Sequence, residues 1–407
     1  HIWVAHIGRV PLLLLDSNVE DNAPTEREVT DRLYGGGHDH RLLQEVLLGI
    51  GGVRALRIWS RLTGSPEPEV YHCNEGHAGF LGVERIRELS DKGFDFDSAL
   101  EAVRSGTVFT THTPVPAGID RFSKDLIYRF FGGDNAADGV PVDRIIALGS
   151  EDFAGGDPAV FNMAVFGLRL GARANGVSLL HGDVSRGMFG GLWPAFDQDD
   201  VPISSVTNGV HAGTWVASEI LELAGGVSTD TPDGWKKISE TDDATFWAVK
   251  RALRQRLVTN ARTRLKESWI NRGASPAELD WIDSALDPDV LTIGFARRVP
   301  SYKRLTLMLS DPERLKALLL DPKRPVQLVI AGKSHPADEG GKKLIQTLVR
   351  FTDDPEVRHR IAFLPDYDMG LASWLYPGCD VWLNNPLRPL EACGTSGMKA
   401  ALNGALN

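Results

Sequence analysis

Val290-Leu291-Thr292-Ile293-Gly294-Phe295-Ala296, running into Arg297-Arg298, is the stretch on which the fold turns. A short apolar run rich in strand-forming residues reads as a strand buried on both faces, and it ends abruptly in cations. It follows about 80 residues that are helical in period, charged and rich in tryptophan. Downstream, strands are expected over 326–331, 361–364 and 380–383, alternating with helices near 303–319, 340–352 and 369–376. Upstream, 10–15, 70–72, 108–111 and 203–206 read as strands. Leu43, Val46, Leu47, Ile50 and Val53 recur at helical spacing, as do Phe80, Val83, Ile86 and Leu89. Strand and helix in alternation make an α/β protein with parallel sheets and crossover helices. The Thr207-Asn208-Gly209 turn marks a boundary between domains at 1–209 and 210–407.

The composition agrees. A chain of 407 residues has material for two domains or three, and 42% hydrophobic with 24% charged residues is the balance of a packed soluble body. Lys plus Arg number 44 against 54 Asp plus Glu, so the net charge of −10 repels nucleic acid and acidic membranes. Cys73, Cys379 and Cys393 are too scattered for a disulfide framework, which points to a reducing cytoplasm. No apolar run approaches the roughly 20 residues a bilayer requires. The start at His1 and the stop at Asn407, with only four strands in the second half, read as cut ends.

Ligands of open parallel sheets sit at the carboxyl ends of the strands. There the chain places Arg297, Arg298, Tyr302, Lys303 and Arg304, four cations within eight residues of an acidic protein, which suggests an anion pocket. The other loops at that edge are 332–336, Pro365-Asp366-Tyr367 and 384–399. In the last, Glu391-Ala392-Cys393-Gly394-Thr395-Ser396-Gly397-Met398-Lys399 precedes a helix expected from Ala400. Its glycines and hydroxyls can cradle a phosphate, and the spacing is not that of a Walker loop. A lysine just past such a turn suits a Schiff base with pyridoxal phosphate. In the first half, Asn74-Glu75-Gly76-His77 and Thr111-His112-Thr113 follow strand ends, and His38 and His40 read as exposed loop. His72, Glu75 and His77 miss the zinc spacing because Gly76 stands where a ligand is needed, so no metal is expected.

Together these stretches resemble the α-glucan phosphorylases, the family of glycogen, starch and maltodextrin phosphorylases. The resemblance rests on Arg32-Leu33-Tyr34-Gly35-Gly36, Gln44-Glu45, Asn74-Glu75-Gly76-His77, Thr111-His112-Thr113, Asn175-Gly176-Val177, Thr207-Asn208-Gly209-Val210, Arg297-Arg298, Tyr302-Lys303-Arg304, Gly332-Lys333 and Glu391 through Lys399. Thr113-Pro114-Val115-Pro116-Ala117-Gly118 is closer to the shorter bacterial branch. The resemblance implies a B-type glycosyltransferase fold, two Rossmann-like domains facing across a cleft. Residues 1–209 would be the later part of the glucan-binding domain and 210–407 the earlier part of the pyridoxal-phosphate domain.

It further implies that Lys399 binds pyridoxal 5′-phosphate, with Arg297, Lys303, Tyr367, Thr395 and Ser396 around the cofactor's phosphate. Arg298, helped by Lys303, would hold the substrate phosphate. Asn208, His112, Tyr302, Glu391, Cys393 and Gly394 would line the glucose site, with His112 stabilising the positive anomeric carbon. The implied reaction moves the non-reducing terminal glucose of an α-1,4-glucan to orthophosphate, giving α-glucose 1-phosphate with retention, and a homodimer is allowed. Cys393 stands where many members have serine, a weaker hydrogen-bond donor. Members are longer than this chain and carry a glycine-rich segment that would precede His1, so the 407 residues are expected to be unstable or inactive alone. The competing readings are a nucleotide-sugar glycosyltransferase resembling glycogen synthase, which the Thr395-to-Lys399 run opposes, and a non-catalytic glucan-binding fragment.

Overall fold

The computed structural model describes every residue except 33–35, 116, 117, 136, 138, 299, 300 and 335–337. Leu33, Tyr34, Gly35, Pro116, Ala117, His335 and Pro336, which belong to stretches singled out above, therefore lie outside the described residues. The chain divides into two units, His1–Thr207 and Asn208–Asn407.

In the first unit β1 (Ile2–Ile7) and β2 (Val10–Leu15) form an antiparallel hairpin turned at Gly8, whose φ of +59° suits the absence of a Cβ. The main sheet is parallel, β3 (Tyr71–Asn74), β4 (Thr107–Thr110), β7 (Arg173–Gly176) and β8 (Ile203–Ser205) in that order. A small antiparallel ribbon pairs β5 (Arg121–Ser123) with β6 (Val160–Asn162). β7 was not expected, because Arg173-Ala174-Asn175-Gly176 has no apolar run. It is chosen for smallness: a Cβ on Gly176 would lie 2.8 Å from the Gly182 amide of the following helix. His38 and His40 fall in the helix His38–Val46, which corrects their reading as loop.

In the second unit the order is β11 (Ile361–Leu364), β10 (Val326–Lys333), β9 (Leu291–Arg298), β12 (Val381–Trp382), all parallel. Alternate residues of β10 serve two cores. Val329 and Ala331 join the Asp243–Asn271 and Met369–Gly378 helices, while Leu328 and Ile330 join the Pro312–Leu319 and Glu339–Thr352 helices. The expected helix over 303–319 is broken. Arg304 adopts the left-handed region at φ +52°, and short 3₁₀ turns occupy Ser301–Lys303 and Leu305–Leu309 before the true helix starts at Pro312. From β9 the chain adds strands on one side and then returns to the other with β12. The carboxyl ends of β9 and β12 therefore flank a switch point, the place where such sheets bind ligands.

Beneath the loop after β3 lies a buried charge cluster. Glu45, 1% exposed, and Arg41 share a helix face, and His77 and Asp120 close on them. His77 Nδ1 is 3.1 Å from Asp120 Oδ2 and 2.7 Å from Arg41 Nη2. Protonated, that nitrogen donates to Asp120; unprotonated, it accepts from Arg41. Two carboxylates outweigh one guanidinium, and hydrogen bonds to Asp120 and Glu45 push His77 up to about 9. Burial pushes Glu45 up to about 7. The ligand-type atoms of Glu45, His77 and Asp120 lie within 4.8 Å of one another, and the Arg41 guanidinium already sits among them as the cation.

Both raised groups bind protons more tightly folded than unfolded. Their stabilisation is complete at low pH and is lost as pH rises through about 7 for Glu45 and about 9 for His77. Asp120 is lowered and acts with the opposite sign, but only under acid conditions. The melting temperature of the first unit should therefore fall by about 3–6 °C between pH 6.5 and 9.5, roughly 1–2 kcal/mol after screening. Asp120→Asn should remove most of that slope; equal slopes in calorimetry of the two proteins would contradict this account.

Candidate active site

At the carboxyl end of β9, Arg297 is drawn inward with its side chain only 4% exposed. Its Nη1 donates to Glu391 Oε2 at 3.0 Å, while Nε and Nη2 are buried without a partner among the described residues. The Lys303 ammonium reaches the same Glu391 oxygen, so one carboxylate is shared by two cations. Burial lowers the pKa of Lys303 against the pull of Glu391 and raises that of the Tyr302 hydroxyl, whose ring centroid lies 5.0 Å from Lys303 Nζ. The bend at Arg304 positions these groups. Its guanidinium donates to the carbonyls of Asn385 at 2.7 Å and Pro386 at 3.3 Å, and the Leu387 amide donates to the Tyr302 carbonyl at 2.8 Å. Arg298 ends β9 on the exposed side, in register with Lys333. Two cations thus share one carboxylate, and a buried guanidinium with two donors unmet among the described residues is a place for an oxyanion.

The helix carrying Lys399 spans Thr395–Leu402, so it starts five residues before the expected Ala400 and Lys399 lies within it. Gly394 is its N-cap at φ +80°, with no side-chain cap. The first-turn amides at Thr395 and Ser396 therefore have no capping acceptor, as an anion site requires. Lys399 Nζ stands 3.5 Å from the ring centroid of Trp215 and 5.7 Å from that of Tyr376. Burial lowers its pKa, and among the described residues it makes no salt bridge. An amine kept from a carboxylate and pressed on apolar faces is the type of lysine that can act as a nucleophile.

Two tyrosines, one of them beside this amine, also feel the charge of Arg297. The Tyr376 hydroxyl is 2.8 Å from that of Tyr367, and both tyrosines, raised mainly by burial, are pulled down by the charge of Arg297. Tyr376 packs on Trp382 at 4.7 Å, and Trp382 Nε1 donates to Ser396 Oγ at 3.3 Å. Trp215, Tyr376 and Trp382 were not foreseen, since isolated aromatics carry no motif and read as core. Of the glucose-site candidates in this unit, the Asn208 amide faces the Cys393 sulfur, whose thiol is raised by burial. Glu391 places Oε2 between Arg297 and Lys303.

In the first unit His112 follows β4. Its amide donates to Glu75 Oε2 at 2.7 Å and its Nε2 lies 3.0 Å from Asn74 Oδ1, which makes Nε2 the protonated nitrogen. Burial lowers its pKa and keeps the ring neutral near pH 7. Glu75 holds a φ of +64°, rare for a side-chain-bearing residue, and its amide donates to the Thr110 carbonyl at 2.8 Å. Glu75 Oε1 and Thr111 Oγ1 are buried without protein partners. Backbone held in a rare region beside orphaned polar atoms is typical of a ligand-binding strand end.

Residues 153–407 match the family described as carbohydrate phosphorylase. The chain is 63% identical over its whole length to glycogen phosphorylase of Mycobacterium tuberculosis, covering 48% of that protein. It is 40% identical to glycogen phosphorylase of Aquifex aeolicus, covering 100% of this chain and 58% of that protein. Identity is also 40% to maltodextrin phosphorylase of Thermococcus litoralis, over 99% of this chain and 47% of that protein. The chain thus spans about half the length of the curated relatives it matches. Among the described residues no helix is long and apolar enough to cross a membrane. With the larger part of its sequence matching that family, the chain belongs to the carbohydrate phosphorylases.

Proposed function

We propose that the chain carries the phosphate and cofactor side of an α-1,4-glucan phosphorylase, which transfers a terminal glucose to orthophosphate and yields α-glucose 1-phosphate with retention. The observation that carries this reading is Arg297, buried with two donors unpaired among the described residues, in the same unit as a Lys399 amine that is pressed on Trp215 and makes no salt bridge among those residues. The names of the relatives supply the glucan and the phosphate. The second unit is then the pyridoxal-phosphate domain and the first the glucan-binding one. Three free cysteines, two of them buried, suit a cytoplasmic setting.

The donor set fits pyridoxal 5′-phosphate. Lys399 offers an amine to its aldehyde, and Arg297, Tyr367, Thr395 and Ser396 offer donors to its phosphate. When bound, that group would supply a second phosphate able to pass a proton to orthophosphate near neutral pH. Arg298 and Lys303 bind orthophosphate and offset the repulsion between two neighbouring dianions. Asn208, Tyr302, Cys393 and Gly394 orient the sugar. In the first unit His112, fixed by Asn74 and Glu75, offers a polar group of the kind that suits a developing cation at an anomeric carbon.

Borohydride reduction of the protein with pyridoxal 5′-phosphate should fix one pyridoxyl group at Lys399, and Lys399→Ala should abolish it. Arg297→Ala should weaken binding about 10-fold to 100-fold, the range for losing charged hydrogen bonds. Label spread over surface lysines, or tight binding of a nucleoside diphosphate sugar instead, would defeat the proposal. Glu391→Gln leaves Arg297 and Lys303 without their shared counter-charge and should destabilise the second unit by about 2–4 kcal/mol. Millimolar inorganic phosphate should restore much of that loss in thermal melts, and no recovery would argue against an oxyanion shelf.

A further inference from the structure

Lys250 lies in the middle of the Asp243–Asn271 helix and is 2% exposed, yet no carboxylate pairs with it among the described residues. Its Nζ donates to the carbonyls of Pro377 at 2.6 Å, Cys379 at 2.9 Å and Asn403 at 3.0 Å. An ammonium has three N–H bonds, and each finds one acceptor. Those acceptors belong to the ends of two helices, Met369–Gly378 and Thr395–Leu402. Helix C-termini leave carbonyls unpaired and carry partial negative charge, so two of them meeting at one cation explain how the charge is tolerated. The neighbouring charges are engaged elsewhere. Arg254 pairs with Asp380, whose other oxygen accepts from the Thr292 amide at 2.9 Å, and burial pushes the Cys379 thiol up to about 12.

Asn403 extends the contact. Fully buried, it accepts from the Ala217 amide at 2.9 Å through Oδ1, and its Nδ2 donates to the carbonyls of Trp215 and Lys399, each at 2.8 Å. The rest of that helix end is closed by its own backbone, Gly404 to Ala401 at 2.9 Å and Ala405 to Ala400 at 3.0 Å. The amine of Lys399 lies over the ring of Trp215, at 3.5 Å from its centroid, and 5.7 Å from that of Tyr376. Tyr376 immediately precedes Pro377, whose carbonyl Lys250 holds. Both rings beside the Lys399 amine are thereby tied to a single buried cation or to the amide next to it.

We propose that Lys250, acting through Asn403, is a positioning residue that fixes the depth and orientation of the Lys399 amine. The inference rests on the reading of Lys399 as the cofactor-binding lysine. Arginine cannot substitute, because a planar fork does not match three converging carbonyls.

The test is the pH dependence of reductive labelling of Lys399 by pyridoxal 5′-phosphate, followed by peptide mapping, in the protein, Lys250→Met, Asn403→Ala and Leu348→Ala. Leu348 is buried in the core on the other face of the sheet, so its variant reports instability alone. Wild type and Leu348→Ala should label at Lys399 with one shared midpoint below that of ordinary lysines. Lys250→Met and Asn403→Ala should shift the midpoint upward by about one pH unit and slow labelling at pH 7.5 at least 10-fold, as the amine gains water. A wild-type protein that does not label at Lys399 would sink the functional reading. Labelling there that is unchanged in both network variants, or shifted equally in Leu348→Ala, would sink the positioning role alone. Where Lys250→Met does not fold, Asn403→Ala decides.

Discussion

A guanidinium withdrawn from water at the end of a central strand is stable only if its donors are met, and Arg297 meets just one of three directions from within the protein. That constraint organises the second unit. Glu391 must come close enough to supply the one acceptor, which draws the 384–391 loop over β9. Lys303 must then share the same oxygen, which the left-handed turn at Arg304 makes possible. The remaining two donors leave room for an anion, and Tyr376, hydrogen-bonded to Tyr367, borders the amine of Lys399.

The sheets were legible because burial on both faces leaves short, unbroken apolar runs. The runs at 326–331 and 361–364 fall within β10 and coincide with β11. What failed were elements selected by size or by tertiary contact. β7 has small side chains because a helix crosses closely, not because its residues prefer strands. The start of the lysine-bearing helix was misread because Gly397 looked like part of a loop. Instead it is inside the helix, where a Cβ would meet Asn407 Oδ1 at 2.6 Å. Likewise nothing local in 303–319 announces that Arg304 must leave the helical region to reach two carbonyls.

The candidate site was legible in its charged and hydroxylated members, which cluster in short stretches at strand ends. Its aromatic walls were not. Trp215 lies far from Lys399 in sequence and acts by enclosing it, a task any large flat side chain can perform. Lys250 was equally silent: a lone lysine in a long charged helix reads as solvent-facing, and only the convergence of two helix ends reveals its burial. The Glu45–His77–Asp120 cluster was partly visible, since Glu45 and His77 stood in stretches already singled out while Asp120 carried no signal.

The hairpin of β1 and β2 carries a different kind of consequence. Trp3, Ile7 and Val10 are each more than half exposed, and a ribbon of two strands shelters little of its own apolar surface. Adhesion through such surface is driven by water's entropy, so it strengthens on warming and in sulfate and slackens in the cold. Clustering of these 407 residues should thus reverse on chilling, unlike precipitation through paired charges, which salt disperses.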